Sequence, residues 1–269
     1  MKAIAWASRL RDRVGKPKAP APTIEAEMRR AIALAETEEF DAALAIWGPL
    51  AHIGVPRAQS NVGACFAYGR GVPVDHAMAL RWLTLAADAG DAVGQRNLGT
   101  LCYEGWGAAR DYAQAARWYR AAAEQGDAAA QDMLSWMLLD GDMLAQDPAE
   151  ALRWTRKAAE AGCAGAATRF GMIHHNALGT PRDSAQAVYW WQRAADGGDG
   201  DGTAMLGAAY HLGQGVEADQ TEAMALLVLA ERRGSLLAAP FLMSARARLS
   251  SDEQGAAMKR ADALEHPAL

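Results

Sequence analysis

A repeat of 36 residues constrains this chain more than any other feature of its sequence. Alanine, aspartate and tryptophan columns recur at that interval between about residues 22 and 237, without any insertion. A fixed period of this size is typical of solenoids, in which each repeat buries its core against the next repeat. One glycine marks the period most clearly, at Gly54, Gly90, Gly126, Gly162, Gly198 and Gly234.

Each repeat is predicted to contain two helices joined by a glycine-rich turn. In the second repeat the first helix covers residues 58–68, and Gly69 and Gly71 end it. Aspartate is a good residue to begin the second helix, because its carboxylate accepts the free backbone N–H groups of the first turn. The second helices are therefore predicted to begin after Asp75, Asp111, Asp147, Asp183 and Asp219.

Two further columns indicate how the helices pack. Glycine inside a helix costs about 1 kcal/mol relative to alanine, so its recurrence at one position predicts close contact between helices. The small column of the first helix contains Gly63, Gly99, Ser135, Gly171 and Gly207. The aromatic column of the second helix, expected to form an apolar plate between repeats, contains Trp82, Trp118, Trp154 and Trp190, with Ile46 and Leu226 at its ends.

These residues together resemble the Sel-one-like repeat, a short-period relative of the tetratricopeptide repeat. The resemblance is carried by Asn61-Val62-Gly63, Gly69-x-Gly71, Asp75, Ala79, Trp82, Ala86-Ala87 and Gly90-Asp91, and by their equivalents in the later repeats. It implies an all-α fold, a right-handed α-solenoid of about six 36-residue helix–turn–helix repeats with a C-terminal capping helix. Members of this family are adaptors and scaffolds, so the resemblance also implies such a role. The motif itself is specific for a fold and not for one activity.

The repeat pattern divides the chain into four parts. We expect a basic, proline-rich tail at 1–21, a degenerate tetratricopeptide-like repeat at 22–57, five Sel-one-like repeats at 58–237 and capping helices at 238–269. The formal net charge of −5 is unevenly distributed, since residues 1–20 carry +5 and the remainder therefore carries −10. An acidic body argues against nucleic acid as a partner, because nucleic-acid binding needs a basic face.

Other classes of protein are disfavoured by what the sequence contains. Its three cysteines have no regular spacing, which indicates a reducing, cytoplasmic location without a disulfide framework. No phosphate-binding loop, zinc-protease motif or nucleophile elbow is found, so we expect neither an enzyme nor a cofactor. His174, His175 and His211 suggest a metal site only weakly, because two imidazoles without a nearby thiolate or carboxylate make a poor zinc site.

The first helices of such solenoids line the concave surface, and their variable positions are candidates for binding a protein or peptide. Positions equivalent to 60, 64 and 67 share one face of the first helix. Trp136 stands out, because tryptophan is enriched at binding hot spots, although it could also fill a gap in a divergent repeat. The candidate groove residues are Arg96, Thr100, Tyr103, Glu104, Asp132, Trp136, Asp140, Met172, His175, Asn176 and His211.

An alternative function keeps the same fold and uses another surface. In it, the protein is a regulatory or structural subunit of a larger complex and docks through its convex face or through the basic tail at 1–21. Membrane contact is expected only through that tail, which could form a short basic amphipathic helix or be disordered.

Overall fold

The computed structural model describes residues 23–266, and every regular element in that range is a helix. The predicted all-α solenoid is confirmed. The helices are α1 (Ile24–Glu36), α2 (Phe40–His52), α3 (Pro56–Tyr68), α4 (His76–Asp88), α5 (Ala92–Glu104), α6 (Tyr112–Glu124), α7 (Ala128–Asp140), α8 (Pro148–Glu160), α9 (Ala164–Asn176), α10 (Ser184–Asp196), α11 (Gly200–Leu212), α12 (Gln220–Arg232), α13 (Ala238–Ala247) and α14 (Ser251–Glu265).

Odd-numbered helices from α1 to α11 are the first helices of six repeats, and the even-numbered helix that follows completes each pair. From α1 to α12 each helix packs on the next one along the chain, and α14 packs on α12, so the pairs stack into a linear array. The proposed tail at 1–21 lies outside the described residues.

Aspartate side chains begin the second helices, as predicted. Asp75, Asp111, Asp147 and Asp183 each accept a hydrogen bond, 2.9 Å long, from the backbone N–H three residues later. Asp219 does the same for α12. The first helices from α3 to α11 end in a left-handed residue, which is glycine except after α9, where Ala177 has a φ of 57°.

The small column inside the first helices lies directly against the second helix of the same repeat. A Cβ atom built on Gly63 would lie 2.6 Å from Leu83 Cγ, and one built on Gly99 would lie 2.9 Å from the Tyr119 ring. These distances leave no room for a side chain. The nearest neighbour is the residue that follows the tryptophan column, while the alanine column contributes backbone carbonyl groups such as that of Ala115.

Burial within the tryptophan column varies along the solenoid. Trp154 and Trp190 are buried, whereas Trp82 and Trp118 keep part of their rings in solvent. In the third repeat, Tyr119 is more deeply buried than Trp118, which precedes it in the sequence. Tyr119 has no exposed surface, and its hydroxyl forms a 3.1 Å hydrogen bond with Thr100. The principal apolar contact within this repeat is therefore Tyr119 and not Trp118.

The last full repeat is covered by two further helices. Helices α13 and α14 both pack on α12, whose residues from Ala223 to Ala230 are all buried. Ser250 begins α14 with a capping box, in which Ser250 and Glu253 bond each other's backbone N–H groups. Ion pairs across the surface, such as Arg260 to Glu222 at 3.0 Å, hold α14 on α12.

We expect Ala177→Gly to raise the free energy of unfolding by about 0.5–1 kcal/mol. A left-handed conformation costs an alanine about 1–2 kcal/mol, and the greater freedom of glycine in the unfolded chain offsets part of this gain. Urea denaturation followed by circular dichroism measures the change. Gly213→Ala makes the reverse change in the equivalent turn and should destabilise; a loss of stability in Ala177→Gly would contradict the argument.

Tyr119→Ala is expected to cost about 3–5 kcal/mol, because it removes a fully buried ring. Trp118→Ala should cost less, about 1–2 kcal/mol, since part of that ring is already exposed to solvent. Both variants can be compared in one denaturation series. Equal losses, or a larger loss for Trp118→Ala, would show that the tryptophan is the principal packing residue of the repeat.

Candidate protein-binding groove

The predicted groove lies on the first helices of successive repeats. Neighbouring first helices contact each other directly, as α3 does with α5, α9 with α11 and α11 with α13. Helices on the inside of a curved array lie closer together than those on the outside, so contacts between first helices are what the predicted concave surface requires. We call the surface formed by the variable positions of α1 to α11 the groove.

An aromatic cluster occupies the middle of the groove. The Tyr103 ring on α5 lies edge to face with the Trp136 ring on α7, with centroids 5.8 Å apart. Tyr112, at the start of α6, packs on the other side of Tyr103 at 5.4 Å. Tyr103 and Trp136 are half-buried, so each side chain packs against the core of the repeats and keeps part of its surface exposed.

Two charged candidates are engaged in ion pairs between repeats. Arg96 on α5 bonds the Asp127 carboxylate at 2.9 Å, and Asp132 on α7 accepts from Arg169 on α9 at 3.0 Å. Arg57 and Asp91 form a similar pair at 2.7 Å. These pairs fix neighbouring first helices to each other. Arg96 and Asp132 thus contribute to the shape of the groove more than to a free charge on it.

The sequence reasoning missed the partners in these pairs, although a signal for them was present. An aspartate follows the recurring glycine at Asp91, Asp127 and Asp199, which are one and then two repeats apart. Asp127 and Asp199 cap their own first helix and also accept from the neighbouring one, since Asp199 accepts from Thr168 at 2.7 Å.

The remaining candidates differ in exposure. Thr100 is half-buried, because it bonds the Tyr119 hydroxyl beneath the groove. Glu104 is half-buried at the end of α5, while Asp140 and Asn176 are exposed at the ends of α7 and α9. The last turns of the first helices therefore give one edge of the groove its polar character.

Helix α9 contributes three candidates, Met172, His175 and Asn176, to a cavity of about 200 Å³ between α9 and α11. Met172 is 39% exposed there. The His175 ring lies 5.5 Å from the Trp191 ring, and its Nδ1 atom is buried without a hydrogen-bond partner. Burial lowers the pKa of His175 below its ordinary value, so the imidazole is neutral at pH 7.

His211 does not belong to the accessible groove, which corrects its assignment as a groove residue. Its side chain is 4% exposed, because α13 covers it. Nδ1 lies 2.6 Å from Gln220 Oε1 and Nε2 lies 3.0 Å from Ser244 Oγ on α13. His211 therefore joins α11 to the C-terminal helices, and a partner in the groove could not reach it in this arrangement.

The histidines and cysteines form no cluster in the part of the chain that the structure describes. Within residues 23–266, no three His, Cys, Asp or Glu side chains lie close enough together to hold a metal ion. His174 packs against Phe170 at 4.8 Å, away from His211. Burial raises the pKa of the Cys65 thiol to about 11, which keeps it protonated and unreactive at neutral pH. None of the helices in this range is both long enough and apolar enough to cross a membrane.

Comparison with known proteins agrees with this architecture. The Sel1 repeat model matches residues 56–91, 92–127, 128–163, 164–199 and 201–235. A Sel1 repeat protein from Oxalobacter formigenes is 28% identical in sequence, with a TM-score of 0.69 over 78% of this chain and 87% of that one. No curated protein matches the chain.

A second solved structure, from Pseudomonas aeruginosa, is 18% identical and supports the fold alone. Its TM-score is 0.50, over 84% of this chain and 86% of that one. The five matched segments follow one another through α3 to α12, where the repeat packing and the groove have been described, and they cover more than half of the chain. The protein is therefore a member of the Sel1 repeat family.

Proposed function

We propose that this protein is an adaptor that binds a partner protein or peptide in its groove. Sel1 repeat proteins generally serve as scaffolds for protein–protein interaction and not as catalysts. The proposal for this chain rests on the contrast between its columns. Packing positions are filled by the same small or apolar residues in each repeat, whereas the groove positions change from repeat to repeat.

The aromatic cluster is the observation that carries the proposal. Binding hot spots are enriched in tryptophan and tyrosine that are half-buried and held rigidly before the partner arrives. Trp136 and Tyr103 meet this description, because each ring is fixed by the other at 5.8 Å and by the helices below. A partner segment lying along the groove would cover the exposed edges of both rings.

Replacing both rings should abolish partner binding without unfolding the array. We expect Tyr103→Ala with Trp136→Ala to weaken binding at least 30-fold, since one hot-spot residue contributes about 2 kcal/mol or more. The measurement is recovery of partners by the tagged protein from its native cell, quantified by mass spectrometry. The matched control is Tyr189→Ala, on second helix α10, where the Tyr189 ring is 51% exposed. Unchanged recovery with an intact circular-dichroism spectrum would contradict the proposal.

A second candidate function follows from the division of charge between tail and body. A segment with a charge of +5 next to a body with −10 suits attachment to an acidic partner or membrane surface. The protein would then be a regulatory or structural subunit of a larger complex, docked through residues 1–20 or through its convex face.

Deleting residues 1–20 should release the protein from membrane fractions or from its complex if the tail anchors it. A matched variant replaces Arg9, Arg11 and Arg13 by Gln and so keeps the length of the tail while removing three charges. Both should lose membrane or complex association, and the loss in the matched variant should resemble that caused by high salt. Wild-type fractionation of the deletion variant would contradict this function.

A further inference from the structure

Two cavities in the groove are equivalent by the repeat. One, of about 280 Å³, lies between α1 and α3 over Trp47 of α2. The other, of about 200 Å³, lies between α9 and α11 over Trp191 of α10. Trp47 and Trp191 occupy the same column of the second helix, four repeats apart. We call these cavities the N-terminal socket and the C-terminal socket.

The sockets share their wall as well as their floor. Ala64 and Cys65 of α3 line the N-terminal socket, and the equivalent Ala208 and Ala209 of α11 line the C-terminal socket. The column that contains Ala64 and Ala208 holds Thr100, Trp136 and Met172 in the repeats between them. A small residue over an indole ring thus opens the groove at two places, and larger residues fill it in between.

The N-terminal socket also has an incomplete hydrogen-bond inventory. The Trp47 side chain is 4% exposed, and its Nε1–H is buried without a partner among the described residues. Trp191 Nε1–H, in contrast, donates to the Thr168 carbonyl at 3.2 Å. Buried donors without acceptors are rare because they cost about 1–3 kcal/mol. The two sockets therefore differ in the hydrogen bonding of the tryptophan at their floor.

The size of the sockets indicates what they take. A cavity of about 150 Å³ accepts benzene, whereas pockets for cofactors and drug-sized ligands measure about 300–1,000 Å³. Cavities of about 280 and 200 Å³ therefore fit one large apolar side chain each. Their walls are mainly apolar, with Ile32 and Phe40 in the first and Met205 and Phe241 in the second.

We propose that the two sockets receive apolar side chains of a bound peptide. This inference rests on the proposed binding in the groove, but it uses residues other than Tyr103 and Trp136. The rim of the N-terminal socket adds Arg70, whose guanidinium lies 5.5 Å from the centroid of the Phe40 ring, and Glu36. Gln214 occupies the position of Arg70 in the C-terminal socket.

N-acetyl-L-phenylalaninamide is the probe, because it carries one aromatic side chain on a short peptide backbone. We expect saturable shifts of the Trp47 and Trp191 indole N–H signals in the NMR spectrum of ¹⁵N-labelled protein, with a Kd on the order of 1 mM. N-acetylglycinamide has the same backbone without the side chain and should produce no saturable shift. The signals are assigned by single Trp→Phe variants.

Two substitutions fill the sockets one at a time. Ala64→Met should remove the shift at Trp47 and leave the shift at Trp191, and Ala208→Met should do the reverse. Both substitutions introduce a methionine side chain, which Met172 already provides in the same column. Ala64→Thr, which copies Thr100, is a second variant if Ala64→Met fails to fold, as judged by circular dichroism.

Absence of a saturable shift at both indoles, or shifts that survive the substitutions, would overturn the proposal that the sockets bind apolar side chains. A shift at one indole alone would overturn their equivalence. Neither result depends on the Tyr103 and Trp136 variants. Loss of partner recovery in those variants, with no probe binding at the sockets, would keep the groove and reject the sockets; the opposite pair of results would reject the aromatic cluster and keep the sockets.

Discussion

The whole structure depends on the close contact between the glycine column of the first helix and the side chain packed on it. At Gly63 a Cβ atom would lie 2.6 Å from Leu83, and at Gly207 it would lie 2.8 Å from Leu227. These contacts set the distance and the rotation between the two helices of a repeat. Because an array repeats whatever one unit does, a fixed unit geometry also fixes which faces meet in the next repeat and which face remains toward the groove.

The ion pairs between repeats connect helices whose positions that packing has already set. Arg57 with Asp91, Arg96 with Asp127 and Arg169 with Asp132 connect first helices that already lie side by side. Partly exposed ion pairs contribute little to stability, typically 0–1 kcal/mol each. Their larger effect is geometric, since they restrict sliding of one first helix along the next and keep the groove residues in register.

Most of the fold could be predicted from the sequence, because period, caps and turn glycines are local signals. The Asp75 and Asp147 caps begin their helices as expected. The depth of each column could not be predicted in the same way. Trp118 and Tyr119 are adjacent and both aromatic, and only the rotation of α6 against α5 decides that Tyr119 is the buried one. Spacing along one helix does not report that rotation.

The site was less predictable, since it depends on contacts from outside the repeat. His211 occupies a groove column in the sequence, yet it is buried because Ser244 on α13 continues the array over it. Nothing in the period of α11 indicates where α13 will lie. Arg96 and Asp132 are candidates by position, and their bonds to Asp127 and Arg169 appear only when adjacent repeats are placed together.

The groove column at positions 64 to 208 shows how such a protein can change the shape of one surface without changing its fold. Its residues range from alanine to tryptophan, while the glycine on the same helix, one residue earlier, scarcely changes. A substitution in the glycine column meets a packed side chain, whereas one in the neighbouring column opens or closes space on the groove side. Ala64 and Ala208 leave cavities where Trp136 presents a ring. The shape of the groove is therefore determined by a column that the packing of the repeats leaves free to vary.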